Sequence, residues 1–264
     1  MMFFILLLIG LLGGALAGLL GVGGGIIFVP TLMELAQRLG LQGKQAIIFT
    51  IANSIFLTLV SGLSGSYKQY RKQNFFWQPA LFMGLGGAVA SVLVSAFVVP
   101  QPWYNKNHFA QFFSLILLFG VYKIYTQNQQ NSLQKPVSNA VITAIGVVAG
   151  GIAAVSGLGG GIVMIPLMTV FAHFPIKKAT SVSLAAIVPI SLAMVLFYTQ
   201  KPTDLALPYS IGILDFKTIL PLAIGIVLGA PQGVAFAAHL PEKYIRTAFL
   251  VLSILVIAKL NFFS

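Results

Sequence analysis

Two short stretches of this chain carry chemistry in their backbone. Ala17 to Pro30 reads AGLLGVGGGIIFVP, and Ala153 to Pro166 reads AAVSGLGGGIVMIP. Each sets four glycines into five positions: Gly21, Gly23, Gly24 and Gly25, then Gly157, Gly159, Gly160 and Gly161. A glycine costs about 1 kcal/mol of helix propensity relative to alanine, so a helix is expected to break at each cluster. The helix that resumes near Ile26 or Ile162 starts with N–H groups that have no intrahelical partner. Those groups and the positive end of the helix dipole can hold an anion, and the missing Cβ atoms let a ligand approach closely. Neither cluster fits the G-x-G-x-x-G spacing of a dinucleotide site, and no strand precedes it.

Polar side chains in apolar runs supply further candidates for binding a small oxyanion. They are Thr50, Asn53 and Ser54 in the first half, with Thr180, Ser181 and Ser183 in the second. Ser and Thr in membrane helices more often bond their own backbone or a neighbouring helix. Asn53 is the strongest of the six because an unsatisfied amide is the costliest, and Gln232 is a weaker candidate. Glu34 is the acid within a glycine-motif arm. It reads either as a proton-carrying carboxylate or as the partner of Arg38 at i+4. The chain has no cysteine, which excludes disulfides and thiolate chemistry. His108, His173 and His239 show no metal-ligand spacing, and no nucleophile–base or paired-carboxylate constellation occurs in the apolar segments. No catalytic residue, metal or cofactor is expected, and the chain does not read as an enzyme.

The elements that must position these residues belong in a bilayer. Hydrophobic residues make up 58% of the chain and charged ones 7%, against about 25% charged in ordinary globular chains. Charge-free runs predict eight hydrophobic segments, at residues 2–39, 45–65, 75–99, 107–125, 137–173, 178–199, 216–238 and 242–260. The first segment lacks a basic start, since Arg38 is the first positive charge, so it reads as a retained helix and not a cleaved leader. The net charge of +11 is scattered over short loops, which suits anionic headgroups or an anionic solute and argues against nucleic acid.

The expected organisation is an all-α integral membrane protein built from two homologous four-segment halves, residues 1–124 and 140–264, joined by a polar linker at 125–139. Residues 14–30 align on 150–166 without a gap, Lys44–Thr50 echoes Lys177–Ser183, and Gly84–Pro100 echoes Gly225–Pro241. The charge-free run 136–176 would be about 60 Å long as one helix, twice the hydrocarbon thickness. The arm after each glycine cluster is therefore either part of a tilted, discontinuous helix or re-entrant. Assigning loops to alternate sides puts Lys68, Arg71, Lys72, Lys123, Lys135, Lys201, Lys217 and Lys259 on one face. Arg38, Lys44, Lys106, Lys177, Lys178, Lys243 and Arg246 fall on the other, which leaves no positive-inside bias. Glycines spaced by four, Gly10/Gly14/Gly18, Gly146/Gly150 and Gly225/Gly229/Gly233, read as helix-packing positions.

On the motifs GVGGGIIFVP and GLGGGIVMIP, with ATSVS (Ala179 to Ser183) opening the next helix, the chain resembles the TauE/SafE family of sulfite exporters. The resemblance covers essentially the whole chain. It implies a multi-pass protein of the cytoplasmic membrane that moves small sulfur-containing anions such as sulfite, sulfoacetate or other organosulfonates. The motif positions it carries over are Gly21, Gly23, Gly24, Gly25 and Pro30, with Gly157, Gly159, Gly160, Gly161 and Pro166. The first half departs from the pattern, since AIIFT (Ala46 to Thr50) lacks the central Thr-Ser. The expected function is secondary transport of a small anion, with protons as a candidate coupling ion. An uncoupled anion channel and a membrane assembly subunit are the alternatives.

Overall fold

The structure, a computed structural model, describes residues 2–101, 118, 122, 137–201 and 209–262. The expected segment 107–125 lies outside the described residues apart from Leu118 and Tyr122, as does most of the linker at 125–139. Among the described residues the chain is all-helical but for one short hairpin. The helices are α1 (Met2–Leu20), α2 (Gly25–Arg38), α3 (Gly43–Arg71), α4 (Trp77–Phe97), α5 (Asn139–Ser156), α6 (Gly161–Phe171), α7 (Ile176–Thr199), α8 (Phe216–His239) and α9 (Glu242–Phe262). Strands β1 (Ser210–Ile211) and β2 (Leu214–Asp215) pair antiparallel between α7 and α8. Six helices, α1, α3, α4, α5, α7 and α8, are long and apolar enough to cross a membrane.

Glycine pairs these helices across the two halves of the chain. On α1, Gly10, Gly14 and Gly18 lie against the backbone of Leu222, Ile226 and Ala230 on α8. On α5, Gly146 and Gly150 lie against the backbone of Met83 and Gly87 on α4. No side chain fits at these contacts, which is how small residues let helices touch where lipid offers no hydrophobic drive. Residue numbers rise together in both pairs, so each pair is parallel. The second pairing matches Met83 with Leu222 and Gly87 with Ile226, two residues away from the echo between 84–100 and 225–241. The outward faces of α1, α4 and α8 are apolar, with Leu8, Leu12, Leu81, Leu85, Val89, Leu220 and Val227 exposed. Of the six helices of spanning length, α3 and α7 are the most buried and form the centre.

End-to-end contacts fix the direction of every helix in this group. Lys44 Nζ reaches Pro100 O at 2.9 Å, so the start of α3 and the end of α4 share one face, called here the near face. Lys72 Nζ reaches Ala235 O at 3.4 Å and Lys177 Nζ reaches Ala238 O at 3.3 Å. The end of α3, the end of α8 and the start of α7 therefore share the far face. Since α1 runs parallel to α8, it starts at the near face, and α2 ends at that same face where α3 begins. Since α5 runs parallel to α4, it starts at the far face, and α6 returns there to meet α7. At 14 and 11 residues, α2 and α6 are about 21 and 16 Å long, too short for a hydrocarbon core of about 30 Å. Each glycine cluster thus turns its chain back toward the face it came from, and the two turns come from opposite faces.

This geometry corrects the alternating assignment of loops. Lys68, Arg71 and Lys72 lie with Lys177, Lys178, Lys243 and Arg246 at the far face, whereas Arg38, Lys44, Lys201 and Lys217 lie at the near face. The reason is physical: an arm that folds back does not change sides, and simple alternation presumes that every segment does.

Candidate functional site

The two glycine clusters adopt the same backbone. Gly21, Gly23 and Gly24 have φ of 73°, 79° and 76°, and Gly157, Gly159 and Gly160 have 70°, 77° and 74°. Only glycine takes this left-handed region freely. The first glycine of each trio ends a helix: Gly21 N–H donates to Ala17 O at 2.8 Å and Gly157 N–H to Ala153 O at 2.9 Å. The last begins the next one. Gly24 O accepts from Ile27 and Phe28 at 3.0 and 3.2 Å, and Gly160 O accepts from Val163 and Met164, both at 3.0 Å. The N–H groups of Gly25 and Ile26, and of Gly161 and Ile162, precede these first ladder bonds. Pro30 and Pro166 sit in the second turn of the resumed helices.

Helices α3 and α7 bring the two turns together halfway through the protein. Gly25 packs on the backbone of Leu158, and Gly161 on the backbone of Gly21 and Val22. Gly21 backs onto Thr180 of α7, and Gly157 onto Ile51 of α3. The bracing is reciprocal. Ser183 Oγ on α7 donates to Gly21 O at 2.7 Å, and Ser54 Oγ on α3 donates to Gly157 O at 2.7 Å. Each turn is therefore held by a helix from the other half of the chain, and a left-handed carbonyl that would be stranded in lipid finds its partner. Ile51 matches Thr180 and Ser54 matches Ser183 in these contacts. That register is one helical turn away from the echo between 44–50 and 177–183. The echo aligns the basic helix starts at the surface, whereas the contacts at depth pair residues one turn further on.

Gly23 and Gly159 both face the methyl of Thr58. Thr58 is sixteenth of the 29 residues of α3, and Ile187, which flanks Gly23 and Gly161, is twelfth of the 24 of α7. The convergence point therefore lies midway along both central helices. Thr58 is fully buried, and its Oγ1 has no hydrogen-bond partner among the described residues. Sequence reasoning missed it. Its signal was weak: Thr50, Ser54 and Thr58 recur at i, i+4 and i+8, one face of α3.

The other sequence candidates have backbone or surface duties. Asn53 Nδ2 donates to Phe49 O at 2.8 Å and Ile213 O at 3.1 Å, and its Oδ1 accepts Asp215 N–H at 2.9 Å. It pins the β1–β2 hairpin to α3 at the near face. Asp215, an acid buried beside it, caps α8 by accepting from Lys217 N–H at 3.2 Å and Thr218 Oγ1 at 2.6 Å. Ser181 Oγ donates to Asn74 O and ties the α3–α4 turn to α7 at the far face. Thr180 Oγ1 donates to Lys177 O at 2.9 Å, within its own helix. Thr50 Oγ1 contacts Met33 Sδ at 3.8 Å, at the deep side of a cleft of about 410 Å³ between α2 and α3. Gln232 is exposed on α8. Glu34 Oε1 accepts from Arg38 Nε at 3.0 Å in an exposed pair. Among the described residues no three His, Cys, Asp or Glu side chains gather as a metal site.

Among the described residues, six helices long and apolar enough to cross a membrane, set around two opposed, folded-back arms, define a multi-pass integral membrane protein. The description Sulfite exporter TauE/SafE matches residues 6–260, and the chain belongs to that family. It is 24% identical to a probable membrane transporter protein of Methanocaldococcus jannaschii, over 92% of this chain and 89% of that one. It is 23% identical to the probable membrane transporter protein YunE of Bacillus subtilis, over 97% and 96%. A probable membrane transporter protein of Haemophilus influenzae is also 23% identical, over 97% and 96%. No solved structure matches the chain. The family and these relatives identify a membrane transporter.

Proposed function

We propose that this protein is a secondary transporter of small anions in the cell membrane, and that its substrates are sulfur oxyanions or sulfonates such as sulfite and sulfoacetate. The observation that carries this reading is the meeting of two helix N-termini, at Gly25–Ile26 and Gly161–Ile162, beside Thr58. Two positive dipole ends and their free N–H groups offer an anion a preformed site with no buried Lys or Arg. The family description supports sulfite as one substrate. Neither arm carries a group set for bond making, so the cargo would leave as it arrived.

The two halves are read as inverted repeats, because equivalent arms start from opposite faces and brace each other. Duplicated transporters of this kind place the site between repeats and expose it to each side in turn. Opening toward the near face would disturb the hairpin held by Asn53, and opening toward the far face the turn held by Ser181. Protons are the candidate coupling ion.

The test is anion uptake by proteoliposomes presented with sulfite, sulfate, sulfoacetate and acetate, with and without a pH gradient. Saturable uptake that favours the sulfur anions and responds to the gradient is expected. Large, uncoupled currents would instead identify a channel, and no anion response would reduce the glycine turns to packing.

A further inference from the structure

We propose that Thr58 is the specificity-determining side chain of the anion site, its hydroxyl donating to the third oxygen of a sulfite or sulfonate held by the two helix N-termini. The inference rests on the anion-transport reading and deepens it.

The hydroxyl departs from local habit. Threonine in a helix ordinarily donates to a carbonyl one turn back, and three threonines of this chain do so at i−4. Thr31 donates to Ile27 O at 2.8 Å, Thr143 to Asn139 O at 2.9 Å and Thr247 to Lys243 O at 2.9 Å. Thr58 is fully buried and does not, and of the seven buried side-chain hydroxyls without a partner among the described residues it is the one that meets Gly23 and Gly159. Its methyl packs on both Gly23 and Gly159, and a Cβ built on Gly159 would stand 3.3 Å from its Oγ1, so the side chain stands between the two turns with its hydroxyl on the Gly159 side. A buried donor without a partner is costly, and a cost kept at a convergence of helix N-termini is explained by a ligand that removes it. The pseudo-equivalent position on α7 is Ile187, which has no donor, so the hydroxyl is supplied from one side only.

Geometry then separates ligands by class. Two helix termini can satisfy the two oxygens of a carboxylate. Sulfite and sulfonates present three oxygens in a pyramid, and the third needs a donor from outside the two termini. A hydrogen bond to a charged group changes affinity by about 10- to 100-fold.

The experiment compares the full chain with Thr58→Val, which keeps the shape and removes the hydroxyl, and with Thr58→Ser, which restores it. Sulfite, sulfoacetate and acetate uptake into proteoliposomes would be measured over a concentration range, together with thermal unfolding in detergent. The expected result is an apparent KM for sulfite and sulfoacetate raised about 10- to 100-fold in Thr58→Val, with a clearly smaller change for acetate. The unfolding temperature should be equal or higher, since an unpaired polar atom is lost, and Thr58→Ser should recover sulfite uptake. A sulfite KM within twofold of wild type in a folded Thr58→Val protein would overturn the proposal and leave the transporter reading standing. A wild-type protein without saturable anion uptake would overturn both. Should Thr58→Val not extract folded, Thr58→Ala, which also removes the hydroxyl, is read by the same KM criteria.

Discussion

The turns at Gly21–Gly24 and Gly157–Gly160 share three left-handed glycines and a serine-braced carbonyl, yet their surroundings differ. The second is the more enclosed: α6 is buried from Gly161 through Pro166, and Leu158 N–H is further tied to Ser156 Oγ at 3.1 Å. The first has Leu20 where the second has Ser156, and its arm ends in an exposed ion pair. At their junction one central helix offers a hydroxyl, Thr58, and the other a hydrocarbon, Ile187. The backbone is common to both turns and the side-chain chemistry is not. On the proposed reading, such a pair would hold an anion symmetrically through N–H groups while its selectivity came from one helix.

The largest expected effect sets Gly160→Ala against Gly24→Ala. Both would force alanine into the left-handed region, at about 1–2 kcal/mol. They differ in what the new methyl meets. At Gly160 it would stand 2.6 Å from Ala149 O, which is backbone and cannot step aside; at Gly24 its nearest neighbour would be a side chain, the buried Phe28 ring at 2.6 Å, with backbone only at 3.0 Å in Gly13 O. Thermal unfolding in detergent should show Gly160→Ala losing on the order of 4 kcal/mol, and Gly24→Ala measurably less. Equal losses would mean that the first turn is as rigid as the second.

Next come the braces. Ser54→Ala and Ser183→Ala each strand one glycine carbonyl, at about 1–3 kcal/mol. Because Gly25 packs on Leu158 and Gly161 on Val22, loosening one turn should loosen its neighbour. The double variant is therefore expected to lose less than the sum, which a double-mutant cycle reads directly. Strict additivity would show that the turns are braced independently and would remove the case for their moving together.

The membrane class and the positions of the glycine clusters were legible because both are local signals: runs without charge and residues with poor helix propensity. Partners were not. Ser54 and Ser183 could be picked out as polar, but the carbonyls they hold lie 103 and 162 residues away. Asn53 looked the best ligand for the same reason that it serves the hairpin: an amide satisfies several groups at once. Thr58 carried only the i+4 spacing from Ser54, which does not by itself separate it from Thr31 or Thr143, and those bond their own helix. Sidedness failed where the arms turn back, since composition counts apolar residues and not direction.

A smaller effect isolates the extra tie in the second turn. Ser156→Ala removes the Oγ acceptor of Leu158 N–H, and the hydroxyl's own bond to Ile152 O at 2.7 Å goes with it. A loss of about 1 kcal/mol is expected, as for a capping side chain. The reverse change, Leu20→Ser, offers the first turn the same device and should leave the difference between the turns smaller. If Ser156→Ala costs nothing, the enclosure of α6 alone accounts for the stiffness of the second turn.

The smallest effect concerns charge. Only the first arm carries charged side chains, Glu34 and Arg38, with 59% and 70% of each exposed; α6 has none. A pair so open to solvent is worth about 0–1 kcal/mol, because water screens the attraction and the side chains give up rotamers to hold it. Glu34→Gln should therefore shift unfolding by no more than that and leave the pH dependence of anion uptake where it was. A flattened pH profile would have the opposite meaning. It would make the outer end of the first arm the proton-carrying element, and the asymmetry between the two turns would then include coupling as well as selectivity.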